Sequence, residues 1–196
     1  MRLKNLVSRG GYLEIEMRPQ EQLSTNTQTL WAVDPTHTTV EFEVRNLFFK
    51  VKGSLEVREG SIVLDSANVR GSSTTVVLQS SSINTGNKGR DAHLRSRDYL
   101  DTDRYPEIRF QSTKVEPGTD RDTLRVTGVL TIKNQSKEIV LDVSEIDRSC
   151  SPSGEHVEYF GATTKLDRHD FDVHAMRLLI GRIVQITINL QASRHG

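Results

Sequence analysis

The chain has 196 residues, which suits one domain, or one domain and a tail, and is long enough to bury a core without disulfides or metals. Its 26 basic and 26 acidic side chains balance, so it lacks the overall positive field that attracts nucleic acid. The single cysteine, Cys150, excludes an intramolecular disulfide, and no segment approaches the roughly 20 apolar residues that span a bilayer. We therefore expect no nucleic-acid partner, and peripheral membrane contact or none.

Residues 1–29 show no sustained apolar period. They contain a pair of glycines, a proline, several charges and a polar run. The chain begins with positive charges, but it lacks the apolar stretch of about 7–15 residues that follows such charges in a signal peptide. We predict a partly ordered N-terminal extension over 1–29, one domain over 30–196, and a cytoplasmic location.

From residue 31 the pattern changes, because apolar residues alternate with polar ones at a period of two, which is typical of strands with one buried face. Turn-forming residues separate many of these segments, at 59–60, 117–120, 133–136 and 151–154. Short turns between strands favour antiparallel hairpins, and the pattern predicts an all-β barrel or sandwich. The segments that predict about eight strands are 39–44, 61–64, 75–79, 107–111, 124–132, 138–143, 156–160 and 183–190.

One segment, residues 87–100, departs from this pattern because it is charged and has little β-branching. Asp91 could cap a short helix there, and Arg90 and Leu94 would share a face at helical spacing. The dipeptide Tyr105-Pro106 would end the helical region. We predict one short helix beside the strands, and a barrel of about eight strands has room for one ligand.

Five motifs follow one another along the chain in a recognisable order. They lie at residues 31–37 (WAVDPTH), 82–86 (SINTG), 90–101 (RDAHLRSRDYLD), 105–112 (YPEIRFQS) and 128–133 (GVLTIK). In this order and spacing they resemble the YceI-like family, and the resemblance runs from about residue 31 to about residue 194. Two positions differ from the family pattern, since Asn46 stands where histidine is usual and Asp172 where glycine is usual.

The resemblance implies a lipocalin-like antiparallel barrel whose elongated cavity holds a polyisoprenoid, an isoprenoid quinone or another long amphiphile. It also implies a homodimer. On this interpretation the protein is a carrier or sequestering module, not an enzyme. The alternating apolar residues would line the cavity, joined by Arg90 and Leu94 from the helix. The predicted ligand-binding residues are Phe42, Val44, Val76, Leu78, Arg90, Leu94, Ile108, Phe110, Leu130, Ile132 and Ile186.

Two features of this site stay open at the level of sequence. Alternating apolar residues are equally typical of a solid core and of a lined channel, so the cavity depends on the family resemblance. Arg90 could meet a ligand headgroup, or it could pin the helix to the barrel together with Asp91. A solid-core interaction or stress protein that works through its surface is therefore the alternative to a lipid binder.

The sequence offers little support for catalysis or for a metal. None of its six histidines forms an HxH or HExxH arrangement, and His169 and His174 would lie on opposite faces of any strand that held both. The serines at 80–82 lack the glycine pattern of a nucleophile elbow and have no evident base. We predict no catalytic residue, no metal ligand and no cofactor other than a bound lipid, with an enzyme acting on an amphiphilic substrate as a third hypothesis.

Overall fold

The computed structural model describes residues 27–120, 122–150, 156–174 and 179–194, with only the backbone described over 145–150. The described residues form nine strands and one α-helix. Two single-turn 3-10 helices, Val69–Gly71 and Arg168–Phe171, lie between strands. The strands and the helix are β1 Gln28–Val33, β2 Thr39–Asn46, β3 Lys50–Asp65, β4 Ser73–Asn84, α1 Lys88–Arg95, β5 Glu107–Pro117, β6 Thr123–Ile132, β7 Gln135–Cys150, β8 His156–Asp167 and β9 Ile180–Arg194.

The sheet closes on itself as an antiparallel barrel. From β2 the hydrogen-bonded order runs through β3, β4, β5, β6, β7, β8 and β9, and β9 returns to β2. Strand β1 adds no further position, because it pairs with the same two strands as β2, beyond the end of β2. The ring therefore has eight positions, one of them shared by β1 and β2, which confirms the predicted all-β antiparallel barrel with one short helix.

A carboxylate organises the corner between β1 and β2. Asp34 Oδ1 accepts hydrogen bonds from the backbone N–H of Thr36 at 2.8 Å and from its hydroxyl at 2.6 Å. Asp34 Oδ2 lies 2.7 Å from His37 Nδ1. The Thr36 hydroxyl and the His37 ring hold the pKa of Asp34 at about 2. His37 therefore makes a structural hydrogen bond to a side chain at this corner.

Irregular pairing explains where the predicted strand boundaries fail. Strand β3 has a register shift after Val57, where its inward-facing positions change from odd residue numbers to even ones, so no single alternation covers the strand. The turn predicted at 59–60 is wrong, because Glu59 and Gly60 lie inside β3 and pair with Val77 and its neighbour on β4. The turn predicted at 133–136 is shorter than predicted, because only residues 133–134 lie between β6 and β7. The turn predicted at 151–154 lies outside the described residues.

Helix α1 begins with a different cap from the predicted one. The side chain of Asn87 caps it by accepting from Arg90 N at 3.0 Å, whereas the buried Asp91 accepts from the backbone N–H and the hydroxyl of Thr85. The guanidinium of Arg95 donates to two carbonyls of β4, those of Ser81 at 2.6 Å and residue 83 at 2.8 Å. These bonds fix α1 across one end of the barrel.

The chain interior is organised around an open centre. The buried apolar residues fall into two clusters, and Leu78, Val143 and Ile186 pack against both. These three residues face the barrel interior yet stay partly exposed.

None of the helices formed by the described residues is long and apolar enough to cross a membrane. Of the predicted extension, residues 1–26 lie outside the described part of the chain, and β1 begins at Gln28, so the division at 29/30 stays a prediction.

Candidate ligand-binding cavity

The barrel interior holds two adjoining cavities. The larger, here called the rim chamber, has a volume of about 450 Å³ and is bounded by α1, by the 3-10 helix Arg168–Phe171 and by the β2 end of the barrel. The smaller, here called the deep chamber, has a volume of about 190 Å³ and lies between the sheet walls, towards the end of the barrel where β1 pairs with its neighbours. Gly89 and His93 are exposed and line the rim chamber, so this chamber reaches the molecular surface beside α1.

The two chambers form one elongated space. Five side chains line both of them, and each is apolar: Leu55, Ile108, Ile132, Leu166 and Ile186. The rim chamber alone falls within the roughly 300–1,000 Å³ that is usual for small-molecule sites. An extended apolar chain entering at α1 would therefore pass from one chamber into the other along an apolar wall.

The structure brings all eleven predicted ligand-binding residues to this space. Phe42, Val44, Arg90 and Leu94 line the rim chamber, and Val76, Leu78, Phe110 and Leu130 line the deep chamber. The remaining three, Ile108, Ile132 and Ile186, line both. Their placement follows from the period-two pattern, because alternate residues of a strand point into the barrel. Their contact with a ligand stays a prediction.

The polar groups of the lining are concentrated in the rim chamber. They belong to Asn46, Arg90, His93, Tyr99 and Arg168. The deep chamber adds only serine and threonine hydroxyls to its apolar wall, and no charged side chain lines it among the described residues. One end of the space is therefore polar and cationic, and the other is apolar, which matches the two ends of an amphiphile.

Arg90 is held at the rim by a threonine rather than by its acidic neighbour. Its Nε donates to Thr85 Oγ1 at 2.7 Å and its Nη2 donates to the Thr85 carbonyl at 3.0 Å. The same hydroxyl donates to Asp91, and this bond holds the pKa of the Asp91 carboxyl below its usual range. Arg90 thus both ties α1 to the preceding loop and contributes a charged guanidinium to the chamber lining.

Arg168 and Tyr99 were missed by the sequence reasoning. Arg168 is buried and donates to three backbone carbonyls, those of Val173 at 2.7 Å, Gly181 at 3.0 Å and Ile180 at 3.1 Å. Burial raises the pKa of the Tyr99 hydroxyl. Neither residue lies in an alternating segment, so periodicity carried no signal for them. Arg168 thus ties the start of β9 to the 3-10 helix Arg168–Phe171 and forms part of the wall of the rim chamber.

Two phenylalanine rings lie against glycines in the wall. A methyl group added at Gly53 would come within 2.7 Å of Phe42 Cε1, and one added at Gly128 would come within 2.6 Å of Phe110 Cε2. Each ring therefore occupies the space that a neighbouring side chain would fill. This arrangement keeps both rings close to the wall and leaves the centre of the barrel open.

Comparison with known proteins places the chain in a family. The model of the YceI-like domain matches residues 31–192. A UPF0312 protein of Vibrio parahaemolyticus is 32% identical over 142 residues, which cover 71% of this chain and 74% of that protein. The chain belongs to the YceI-like family. The recognition made from the five sequence motifs is thereby confirmed.

Solved structures extend the likeness of this YceI-like protein to the whole barrel. Burkholderia cenocepacia BcnA covers 81% of this chain and 98% of its own, with a TM-score of 0.71 and 19% identity. A polyisoprenoid-binding domain from Saccharophagus degradans, implicated in plant cell wall breakdown, covers 84% of this chain and 98% of its own, with a TM-score of 0.60 and 14% identity. At these identities the likeness shows a shared fold.

The two positions where this YceI-like chain differs from the family pattern both lie near the rim. Asn46 lines the rim chamber, and its Oδ1 accepts from the backbone N–H of Leu47 at 2.5 Å. Asp172 has a φ of 56°, in the left-handed region that glycine adopts without steric cost. The usual glycine at 172 thus has a backbone reason, and aspartate is among the residues that tolerate this conformation best.

A pair of histidines of the YceI-like chain lies beside Asp172. His169 belongs to the 3-10 helix and His174 follows it, and their ring centroids are 5.0 Å apart. The opposite-face arrangement expected for a strand does not apply, because the segment is a turn. Within the described ranges, no group of three or more His, Cys, Asp or Glu side chains could hold a metal ion.

Proposed function

We propose that this protein binds a long-chain amphiphilic lipid in the joined chambers, with a polyisoprenoid or an isoprenoid quinone as the ligand class. The observation that carries the proposal is the continuous apolar interior, polar at one end only. A solid-core protein would fill this space with side chains at normal packing density, so the two chambers favour the lipid binder over the solid-core alternative. The protein acts as a carrier or sequestering module and not as a catalyst.

The orientation of the ligand follows from the charges. A diphosphate, quinone or other polar headgroup would lie in the rim chamber near Arg90, whose guanidinium can donate to anionic or carbonyl oxygens. The apolar tail would run past Ile108 and Ile186 into the deep chamber. The reverse orientation would bury a polar headgroup among apolar side chains, which is costly without compensating hydrogen bonds. The Saccharophagus degradans protein of the same fold is a polyisoprenoid-binding domain, which agrees with this choice.

Chain-length dependence tests the proposal directly. Each methylene moved from water into an apolar cavity contributes about 0.8 kcal/mol, and about 1.4 kcal/mol corresponds to a tenfold change in affinity. For ligands with equal headgroups and increasing prenyl tails, we expect the affinity to rise by about tenfold or more per isoprene unit. It should then level off once the chambers are full. Isothermal titration in a detergent below its micelle threshold would give this curve.

A flat series, or no binding at any length, would refute the lipid-binding proposal and favour a protein that works through its surface. Native mass spectrometry of the purified protein, followed by organic extraction, would identify a co-purified ligand by its mass. An Arg90→Gln variant should weaken prenyl diphosphates more than prenyl alcohols of the same length. Arg70→Gln is the matched control, because Arg70 lies in the distant 3-10 helix Val69–Gly71 and is exposed.

The proposal includes a homodimer and a cytoplasmic location. Size-exclusion chromatography with light scattering measures the first, and subcellular fractionation the second. A monomer at all concentrations, or recovery from an extracytoplasmic fraction, would correct the respective part without affecting the ligand.

A further inference from the structure

The turn between β2 and β3 presents large apolar side chains to solvent. Leu47 is 61% exposed, Phe48 84% and Phe49 55%. The 42% exposed Leu179 joins them, because its carbonyl accepts a hydrogen bond from Leu47 N at 3.0 Å. These four residues form an apolar tip, and such grouped exposure is a mark of an interaction site.

The apolar tip adjoins the rim chamber. Asn46 and Ile180 pair with each other across β2 and β9, next to the tip in the sequence, and both line the rim chamber. A surface that covered the tip would therefore lie beside the polar end of the cavity.

Basic residues flank the apolar tip on both strands of the hairpin. Arg45 and Lys50 pair directly across β2 and β3, immediately behind the turn, and Lys52 follows two residues later. All three are exposed. Between residues 43 and 52 the acidic residue is Glu43, and it pairs with Lys50 at 2.6 Å and with Lys52 at 3.9 Å. The hairpin end therefore carries a net positive charge directly behind its aromatic residues.

We infer that the apolar tip docks this protein on the surface of an anionic lipid bilayer, with the mouth of the rim chamber turned towards the membrane. Aromatic and aliphatic side chains insert at the interface while lysine and arginine contact anionic headgroups behind them. A second copy of the chain fits this tip less well, because a symmetric contact would bring the flanking cations of the two copies together. The inference deepens the proposed function, since it places the membrane as the source or destination of the carried lipid.

Vesicle co-sedimentation tests the docking. The probes are vesicles of phosphatidylcholine alone and vesicles of phosphatidylcholine and phosphatidylglycerol in equal amounts. The full chain should bind the anionic vesicles, and added salt should weaken the binding. Replacing both Phe48 and Phe49 with serine should lower the partition coefficient by about tenfold or more. Replacing Arg45 and Lys52 with glutamine should lower it by about tenfold for the anionic vesicles and leave the neutral ones nearly unchanged.

Leu30→Ser is the matched control for the aromatic variants. Leu30 is 65% exposed, but it lies on β1 opposite Val63 of β3, at the far end of that long strand from Lys50. Its substitution should leave vesicle binding unchanged. Failure of the full chain to bind anionic vesicles overturns the docking inference, and so does an equal loss in the control and in the Phe48 and Phe49 variant. Dissociation of a dimer by that variant, without loss of vesicle binding, would instead assign the tip to a second copy.

Lipid content is measured separately from docking. The Phe48→Ser and Phe49→Ser double variant should keep its co-purified lipid and its chain-length dependence, because neither phenylalanine lines the chambers. Lipid binding without vesicle binding would overturn the docking alone. Vesicle binding without lipid at any tail length would overturn the lipid-binding proposal and leave a membrane-associated protein.

Discussion

Substitution of Gly128 by alanine tests how the lumen is kept open. The added methyl group would lie 2.6 Å from Phe110 Cε2 and 2.6 Å from the carbonyl oxygen of Gln111, well inside the usual separation of about 3.5–4.0 Å. Overpacking of this kind costs about 1–3 kcal/mol, whereas the lower entropy of the unfolded alanine chain returns about 0.4–1 kcal/mol. We expect the free energy of unfolding to fall by about 1–2 kcal/mol and the ring of Phe110 to move into the deep chamber.

Urea unfolding followed by circular dichroism measures the first effect, and the plateau of the prenyl series measures the second. The plateau should move to a shorter tail, because the deep chamber becomes smaller. For the stability measurement alone, Gly89→Ala is the matched control, since a methyl group there meets only Asn87 Oδ1 at 3.5 Å and alanine favours the helix by about 1 kcal/mol. Combining Gly128→Ala with Phe110→Leu should cost less than the two single changes together, although the Gln111 carbonyl limits the recovery. Unchanged stability and an unchanged plateau in Gly128→Ala would refute the role given to this ring and glycine.

Three further predictions concern other parts of the chain. Asp34→Asn should lower the free energy of unfolding by about 1–2 kcal/mol at neutral pH. The folded pKa of Asp34, about 2, lies below the unfolded value of 3.8, so the difference between the two proteins should disappear as the pH falls through that interval. Parallel acid titrations of both proteins would measure it. Phe110→Asp places a carboxylate in the apolar deep chamber, so stability and lipid retention should both fall, and a folded variant that kept its full lipid content would contradict this placement. Deletion of residues 1–26 should leave the circular dichroism spectrum and the unfolding midpoint unchanged, whereas an insoluble product would show that this segment is structural.

The strands and the cavity lining could be predicted because both depend on the same period. In β6 and β9 an uninterrupted alternation places Leu130, Ile132 and Ile186 on the inner face, and no other information is needed to select them. What alternation cannot decide is whether the inner faces meet. That depends on side-chain volumes around the whole ring, including the absent side chains of Gly53 and Gly128, which only the assembled barrel relates to their phenylalanines.

The residues that could not be predicted owe their positions to features that a local alternating pattern does not record. In β3 the inward face shifts by one residue after Val57, and β1 is short and borders a polar run, so neither strand showed one sustained period. Arg168 is held by backbone carbonyls of a distant segment, a contact that no local pattern records. The apolar tip was missed because a short apolar run beside basic residues looks alike in a buried strand and in an exposed turn. The exposure of Leu47, Phe48 and Phe49 depends on the position of the turn, which the structure shows.

The shared position of β1 and β2 has a consequence for how the barrel folds. Both strands pair with β9, the last strand in the described chain, and Gln191 N bonds to the hydroxyl of Thr38 across 153 residues. Contacts of such long range form late and slowly. During synthesis the wall that includes Ile186 is therefore missing until the final strand arrives, and the apolar lumen lies open along its side. A lipid taken up in that interval would be enclosed by the closing strand without passing through the rim.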